Sequence, residues 1–189
     1  MTDTTPRIEP LQPPYDAAVE ASLNKWMPPE SAAAPLRLFR TLVVNDELAS
    51  RMRPLGAGLL GGKAKVPPLL REVMIHRTCA LTGAEYEWGV HAVAFGRPLG
   101  LSDEQLRSTV LGSYDDACWS ADQATVFRLA DELHHTSTVT DELWLALAAR
   151  FEPTQILELL VTAGWYHVIG FVCNGAAVQR EEWAERFPR

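Results

Sequence analysis

The longest apolar stretch of the chain, residues 156–172, constrains the fold more than any other feature of the sequence. The residues that interrupt it are few: Glu158, Thr162, Gly164 and His167. We expect these interruptions to rule out a membrane span. A helix that is apolar nearly all round has to be buried on more than one side. The core of the chain or a contact between subunits would bury it equally well.

Proline and glycine divide the rest of the chain into segments of helical length. The breaks fall at Pro28-Pro29, Gly61-Gly62 and Pro67-Pro68. Capping-box patterns begin two further helices, at Ser102 with Gln105 and at Ser120 with Gln123. Pro54 and Gly56 are expected to kink or split the helix that they interrupt. Since no segment alternates apolar and polar residues, the sequence predicts an all-α fold of about eight helices.

The prolines near the N-terminus set the predicted domain boundary. Pro10, Pro13 and Pro14 keep the first fifteen residues extended or loosely ordered. We therefore predict an arm over residues 1–15 and a single helical domain over residues 16–189. A chain of 189 residues has room for one good-sized core of this kind.

The charge of the chain excludes several classes of partner. Its 17 basic and 24 acidic residues give a net charge of −7, and its basic residues form no cluster. This pattern argues against a surface for nucleic acid or for an anionic membrane. We expect a small molecule to be the partner instead.

The cysteines and the N-terminus predict a reduced, cytoplasmic protein. Cys79, Cys118 and Cys173 are odd in number and far apart, which fits neither a disulfide framework nor a zinc site. The first six residues are polar and include no basic head or apolar run, so we expect no signal peptide.

Glu87 and His91 are the first candidates for chemistry. They are four residues apart in a predicted helix, so they share a face and can form a hydrogen bond. Trp88 and Phe95 flank that face. Burial beside these rings would bring the pKa values of both groups toward neutrality and suit them to proton transfer. The alternative is a solvated helix pair that stabilises the helix by about 0.2–0.5 kcal/mol.

Glu72 and His76 form a second pair with the same spacing on the preceding helix. Glu72 lies among apolar residues and is expected to be drawn into the core, where it needs a partner. His76, Arg77 or His91 could supply one. The alternative is a Glu in the first turn that offsets the helix dipole.

The order of these residues resembles the carboxymuconolactone decarboxylase family, which shares its fold with the AhpD-type alkylhydroperoxidases. The resemblance rests on Glu72 and Arg77 in one helix, then residues 85–88 (Glu-Tyr-Glu-Trp), then His91. It extends over residues 35–189. It implies an all-α fold that assembles as trimers or hexamers, with a small pocket near the helix that bears Glu87 and His91.

The resemblance also implies which chemistry to expect. The peroxidase members carry two cysteines at the positions of Ala84 and Glu87, so this branch lacks the CxxC motif. The decarboxylase members carry a Glu four residues before the His, as Glu87 precedes His91. The resemblance therefore implies decarboxylation of a small carboxylated lactone or a related intermediate of aromatic catabolism, without a metal or an organic cofactor.

In this scheme Glu87 and His91 are the catalytic pair and Glu72 is the buried third member. Arg77 or Arg71 would hold the departing carboxylate, with Lys63 and Lys65 as weaker candidates. Tyr166 would donate a hydrogen bond to an enolate oxygen. Tyr86 and Trp88 complete the predicted substrate-binding residues. A metal ion on the two glutamates and the histidine is the alternative arrangement.

Two other functions remain open from the sequence. The chain could be a non-catalytic oligomeric protein that binds a small molecule in the same pocket. It could also be an antioxidant protein that acts through Cys79.

Overall fold

The computed structural model describes residues 5–28 and 33–189; residues 1–4 of the polar N-terminus and Pro29 of the first break lie outside the described residues. The described residues form nine α-helices and no strand, which confirms the all-α prediction. The helices are α1 Ala17–Asn24, α2 Arg37–Leu42, α3 Asp46–Leu60, α4 Pro68–Leu81, α5 Glu85–His91, α6 Asp103–Leu111, α7 Ala121–Thr136, α8 Asp141–Ala148 and α9 Pro153–Gly175. A 3₁₀ turn, Val43–Asn45, precedes α3, and a π-helical turn, Ala92–Gly96, extends α5.

Several helix ends form where the sequence predicts them. Both capping boxes are present at the starts of α6 and α7, where each serine accepts from a backbone N–H and each glutamine accepts in return. Pro68 opens α4, where its missing N–H costs no helical hydrogen bond. These caps fix the lengths of the helices that surround the core.

The expectation that Pro54 and Gly56 split α3 is wrong, because α3 runs unbroken from Asp46 to Leu60 with Pro54 inside it. The alternative, a kink, stays a prediction. Gly56 has a packing role instead. A Cβ atom at this position would lie 2.9 Å from Cζ2 of Trp165, so only glycine lets α3 approach α9 this closely.

Helix α4 lies at the centre of the fold and packs against α5, α6, α7 and α9. Most of its residues are buried, including Arg71, Glu72 and His76. A helix enclosed on all sides has no solvent-facing stripe, so its polar side chains have to find partners inside the protein.

Helix α9 is the one helix among residues 5–28 and 33–189 that has the length and apolar composition of a membrane span, and half of its most apolar stretch is buried. Its inner face packs on α4 and includes Leu159, Tyr166 and Ile169. Its outer face remains exposed, for example at Leu157 and Phe171. Within one chain the helix is therefore buried on its inner side only. A contact between subunits, the second possibility that the sequence left open, stays a prediction for the outer side.

Residues 5–15 contain no helix and lie against the rest of the chain. The Arg7 N–H donates to the Ala176 carbonyl at 2.8 Å, and the Leu11 N–H donates to the Arg40 carbonyl at 3.2 Å. The division into an arm over residues 1–15 and a domain over residues 16–189 stays a prediction.

The two glycines of α3 provide a test of this packing. We expect Gly56→Ala to lower the free energy of unfolding by about 1–3 kcal/mol, because its Cβ would overlap the Trp165 ring. Gly58→Ala is the matched control, since a Cβ there has no atom within 4 Å. It should raise the free energy of unfolding by about 0.5–1 kcal/mol. Urea denaturation measures both, and a Gly56→Ala variant as stable as Gly58→Ala would contradict the packing.

Candidate active site

A tight turn between α4 and α5 brings the two candidate pairs together. Gly83 lies in this turn with a φ of +66°, a conformation that glycine adopts without strain. The chain then folds back so that α5 packs on α4. As a result, Glu72 of α4 meets His91 at the end of α5, although 19 residues separate them in the sequence.

Three predicted residues meet around the ring of His91, which is itself a predicted residue. The Nδ1–H of His91 donates to Oε2 of Glu72 at 2.9 Å. On the other side of the ring, Nε2 lies 3.1 Å from the Tyr166 hydroxyl and 3.5 Å from Oε1 of Glu87. Glu72 is fully buried, His91 and Tyr166 are almost so, and Glu87 is 7% exposed. We call these four residues, together with His76, the buried cluster.

The electrostatics of the buried cluster favour an ion pair. Burial opposes protonation of His91, but the Glu72 carboxylate and then Glu87 outweigh it and raise the pKa of His91 to about 10. Burial likewise raises the pKa of Glu72, yet His91 and the weaker effects of His76 and Arg71 bring it below its ordinary value. The expectation that burial would bring His91 toward neutrality is therefore wrong. An opposite charge at hydrogen-bonding distance outweighs burial.

His76 is a second imidazole beside the same carboxylate, but it is neutral. Its Nδ1 lies 2.7 Å from the backbone carbonyl of Glu72 and therefore carries the hydrogen, because a carbonyl can only accept. Complete burial lowers the pKa of His76 to about 4, despite the nearby Glu72 carboxylate. Its Nε2 has no hydrogen-bond partner among the described residues. A Cβ on Gly96 would lie 3.1 Å from this atom, so glycine leaves room for the ring.

Aromatic rings enclose the two histidines. The Phe95 ring lies 4.8 Å from the His91 ring, and the Tyr166 ring meets it edge-on at 5.2 Å. Trp88 meets His76 edge-on at 5.8 Å and donates from its Nε1–H to Thr109. Phe95, on the π-helical turn, thus contacts His91 directly, whereas Trp88 lies behind His76.

Arg77 does not join the buried cluster. Its Nε–H donates to Oδ1 of Asp131 at 2.6 Å, and its Nη1–H donates to the Thr109 carbonyl at 3.0 Å. The guanidinium also lies over the Phe127 ring. These contacts hold Arg77 against α6 and α7, so the predicted role in binding a carboxylate beside His91 has no support in the geometry.

Tyr86 also points elsewhere. Its hydroxyl accepts from the Leu38 N–H at 3.1 Å and donates to Oε1 of Glu181 at 2.7 Å. It therefore ties α5 to α2 and to the C-terminal segment. The geometry gives it a structural role rather than the predicted contact with a substrate.

The thiols of Cys79 and Cys173 are poorly suited to peroxide chemistry. Cys79 and Cys173 are buried, and burial raises the pKa of each well above its ordinary value. A thiol peroxidase needs an accessible thiolate and a second thiol to resolve it. Among the described residues, no group of three or more His, Cys, Asp and Glu side chains is placed to hold a metal ion.

Comparison with solved structures defines the fold. A peroxidase-related protein from Silicibacter sp. TM1040 matches with a TM-score of 0.81 and 16% identity, over 96% of this chain and 95% of that one. A peroxidase-related protein with an alkylhydroperoxidase AhpD core, from Ralstonia eutropha JMP134, matches with a TM-score of 0.78 and 13% identity, over 95% of both chains. The debrominase Bmp8, as a variant bound to 2,3,4-tribromopyrrole, matches with a TM-score of 0.75 and 13% identity, over 96% of this chain and 95% of that one.

The sequence matches no protein-family model and no curated protein. The similarity in structure nevertheless covers almost the whole chain at high TM-scores. This chain therefore has the AhpD-like fold.

The ion pair predicts a characteristic dependence of stability on pH. The pKa of His91 is about 10 in the folded protein and about 6.5 when unfolded, so its contribution is complete below pH 6.5 and is lost as the pH rises toward 10. The pKa of His76 is lowered to about 4, so its contribution is lost as the pH falls from 6.5 toward 4. We expect the free energy of unfolding to decline on both sides of about pH 6.5.

Two variants assign the alkaline decline to the ion pair. Glu72→Gln removes the charge that raises the pKa of His91, so it should flatten the curve between pH 6.5 and 10. Glu47→Gln removes an exposed carboxylate paired with Arg51 and should leave the curve unchanged. Urea denaturation across the pH range measures both. An unchanged alkaline decline in Glu72→Gln would contradict the assignment.

Proposed function

We propose that this protein is a cofactor-independent enzyme that transfers a proton to a small carboxylated ring compound, with decarboxylation of an unsaturated lactone as the reaction. The observation that carries the proposal is the arrangement around His91. Its ring is held as an imidazolium by the Glu72 carboxylate, while its Nε2–H faces Glu87 and the Tyr166 hydroxyl.

The proposed reaction needs a site that stabilises negative charge. The bond between the ring carbon and its carboxylate breaks heterolytically, CO₂ leaves, and the electron pair delocalises as an enolate onto the lactone carbonyl. A proton then adds to carbon, so that one proton is consumed for each CO₂ released. A fixed positive charge in a site of low polarity stabilises such an anion strongly.

Four members of the buried cluster have a role in this scheme. Glu72 keeps His91 protonated and orients its ring. The Nε2–H of His91 and the Tyr166 hydroxyl donate hydrogen bonds to the developing enolate oxygen, since burial keeps the pKa of Tyr166 well above its ordinary value and the phenol neutral. His91 then delivers the proton. Glu87, the most exposed of the four residues around the ring, returns a proton from solvent to His91.

His91 replaces Arg77 as the cation of the proposed site. The Arg77 guanidinium is paired with Asp131, whereas the imidazolium of His91 lies at the centre of the buried cluster. The Nε2–H of His91 would therefore donate to the carboxylate of the substrate, and the negative charge would pass to the enolate as neutral CO₂ leaves. Charge attraction of this kind is strong in a buried site.

A small ring compound as substrate has support from one neighbour in fold. The debrominase Bmp8 binds 2,3,4-tribromopyrrole, a small flat ring, within the same fold. The aromatic rings of Phe95 and Tyr166 would provide apolar walls for a flat ring here. We further propose that the protein works in the cytoplasm as a homo-oligomer, a trimer or a hexamer, as the family resemblance implies.

A second candidate is a non-catalytic oligomeric protein that binds a small molecule. The observation in its favour is that Glu72 and His91 neutralise each other in a site from which solvent is almost excluded. Such a protein would be stabilised by its ligand without converting it. Antioxidant chemistry through Cys79 is the third candidate, and the burial of that thiol counts against it.

Release of CO₂ from 4-carboxymuconolactone tests the proposal. We expect His91→Ala to reduce turnover by about 10²–10⁴-fold, because it removes both the acid and the fixed charge. Since this variant leaves the Glu72 carboxylate unpaired, Tyr166→Phe is a second test that keeps the ring and removes only the hydroxyl. We expect it to reduce turnover by about 10–100-fold.

His135→Ala provides the matched control, because His135 is exposed on α7 and outside the buried cluster. It should turn over at the rate of the wild type. Equal turnover in all four proteins would show that the reaction occurs elsewhere in the molecule. Stabilisation of the wild type by the lactone without CO₂ release would favour the binding protein.

A further inference from the structure

The outer face of α9 carries an exposed apolar stripe that no part of the chain covers within the described residues. Its five positions alternate in steps of four and three residues, which keeps them on one side of a helix over about 21 Å. They are Leu157, Val161, Gly164, Val168 and Phe171, and we call them the outer stripe. Leu157 is 63% exposed and Phe171 is 65% exposed, and each lies about one turn inside an end of α9.

The outer stripe lies in the least charged part of the sequence. Residues 159–179 include no Asp, Glu, Lys or Arg, although the chain as a whole has a net charge of −7. The adjacent carboxylate of Glu158 is directed away from the stripe, where it accepts from the N–H groups of Lys65 and Val66. Two copies of a negatively charged chain repel each other least through such a face.

The order of side chains in the outer stripe is symmetric about its centre. A large residue and a valine lie on each side of Gly164. If two α9 helices pack antiparallel about a twofold axis through Gly164, Val161 faces the partner's Val168 and Leu157 faces the partner's Phe171. Such self-complementarity is what a twofold interface between identical chains requires.

Gly164 itself is explained by a close approach of two helices. A Cβ built on it has no atom within 4 Å, so nothing inside the chain requires glycine there. Glycine in the middle of a helix is unfavourable relative to alanine. At the crossing point of two helices, however, it lets their axes come close together.

A cavity next to the outer stripe provides a seat for the partner's Phe171. It lies between α8 and α9 and has a volume of about 230 Å³. Its lining is apolar and consists of Trp144, Ala148, Phe151, Pro153, Ile156, Leu157 and Leu160. A cavity of about 150 Å³ with such a lining can hold benzene. In the antiparallel pair, the partner's Phe171 lies opposite Leu157, at the mouth of this cavity.

The area of the patch is sufficient for a stable contact. The outer stripe, with the neighbouring exposed Trp144, presents roughly 500 Å² of apolar surface. The largest apolar patch of a monomeric protein is about 300–600 Å². A stable interface buries about 800 Å² on each partner, which the patch reaches with a modest polar rim.

We propose that the outer stripe forms a twofold interface with a second copy of this chain, in which the two α9 helices pack antiparallel and the Phe171 ring of each copy enters the cavity between α8 and α9 of the other. This gives a surface to the hexamer, one of the two assemblies proposed above, and it is incompatible with the trimer. It does not depend on the proposed chemistry, because no residue of the outer stripe belongs to the buried cluster. A twofold contact produces a dimer, or a hexamer of three such pairs.

Sedimentation velocity over roughly a hundredfold range of concentration tests the interface. Gly164→Glu places two carboxylates against each other on the axis, and we expect it to raise the dissociation constant of the pair by more than tenfold. Gly58→Glu is the matched control, since Gly58 is also helical and exposed, with no atom within 4 Å of its Cβ. It should assemble as the wild type does. Circular dichroism confirms the fold of each variant.

Cross-linking tests the geometry of the pair. Gly164→Cys, in a Cys118→Ser background, places two thiols on the axis, and we expect mild oxidation to convert most of the protein into a disulfide-linked dimer. Gly58→Cys in the same background should stay unlinked.

Three results would overturn the proposal. The first is that the wild type stays monomeric at all concentrations. Binding of this monomer to phosphatidylcholine vesicles through the outer stripe would show that a membrane covers the stripe instead. The second is a trimer, because a trimer cannot contain the twofold contact. The third is an assembly that survives Gly164→Glu unchanged. If Gly164→Glu alone loses assembly while the wild type shows neither turnover nor ligand binding, the interface is supported and the proposed function fails. The two proposals are therefore tested separately.

Discussion

The hydrogen-bonded ion pair between Glu72 and His91 lies at the centre of the molecule, and the arrangement of the surrounding helices depends on it. A carboxylate that is fully buried in α4 costs several kcal/mol in lost hydration unless an opposite charge meets it. The turn at Gly83 brings α5 back so that His91 meets this need. Removing either partner would leave a charge unpaired in the core, so the pair couples the stability of the fold to the integrity of the site.

Helix α9 connects the buried cluster with the surface. Its inner face presents the Tyr166 hydroxyl to His91, and its outer face carries the outer stripe. The same apolar sequence therefore contributes to the core on one side and, as we propose, to the assembly on the other. An interface on the outer face would explain why α9 is apolar nearly all round although a single chain buries only half of its most apolar stretch.

The local features of the structure could be predicted from the sequence, and most of the long-range contacts could not. Both capping boxes and the spacing of Glu87 and His91 depend on residues three or four apart, which helix geometry brings together. The partners of Arg77 and Tyr86 are remote along the chain, so nothing in the local pattern indicates them. The predicted direction of the His91 pKa shift was wrong for the same reason. The shift is set by the carboxylate of Glu72, which lies on another helix.

The protonation state of His91 at neutral pH is the most direct test of this account. We expect nitrogen-15 NMR, with His91→Asn to assign the signals, to show both ring nitrogens of His91 carrying hydrogen at pH 7 and beyond pH 9, since the pKa is about 10. His76 should remain neutral, with its hydrogen on Nδ1, down to about pH 5, because its pKa is about 4. A neutral His91 at pH 7 would contradict the buried ion pair and the fixed positive charge on which the proposed chemistry depends.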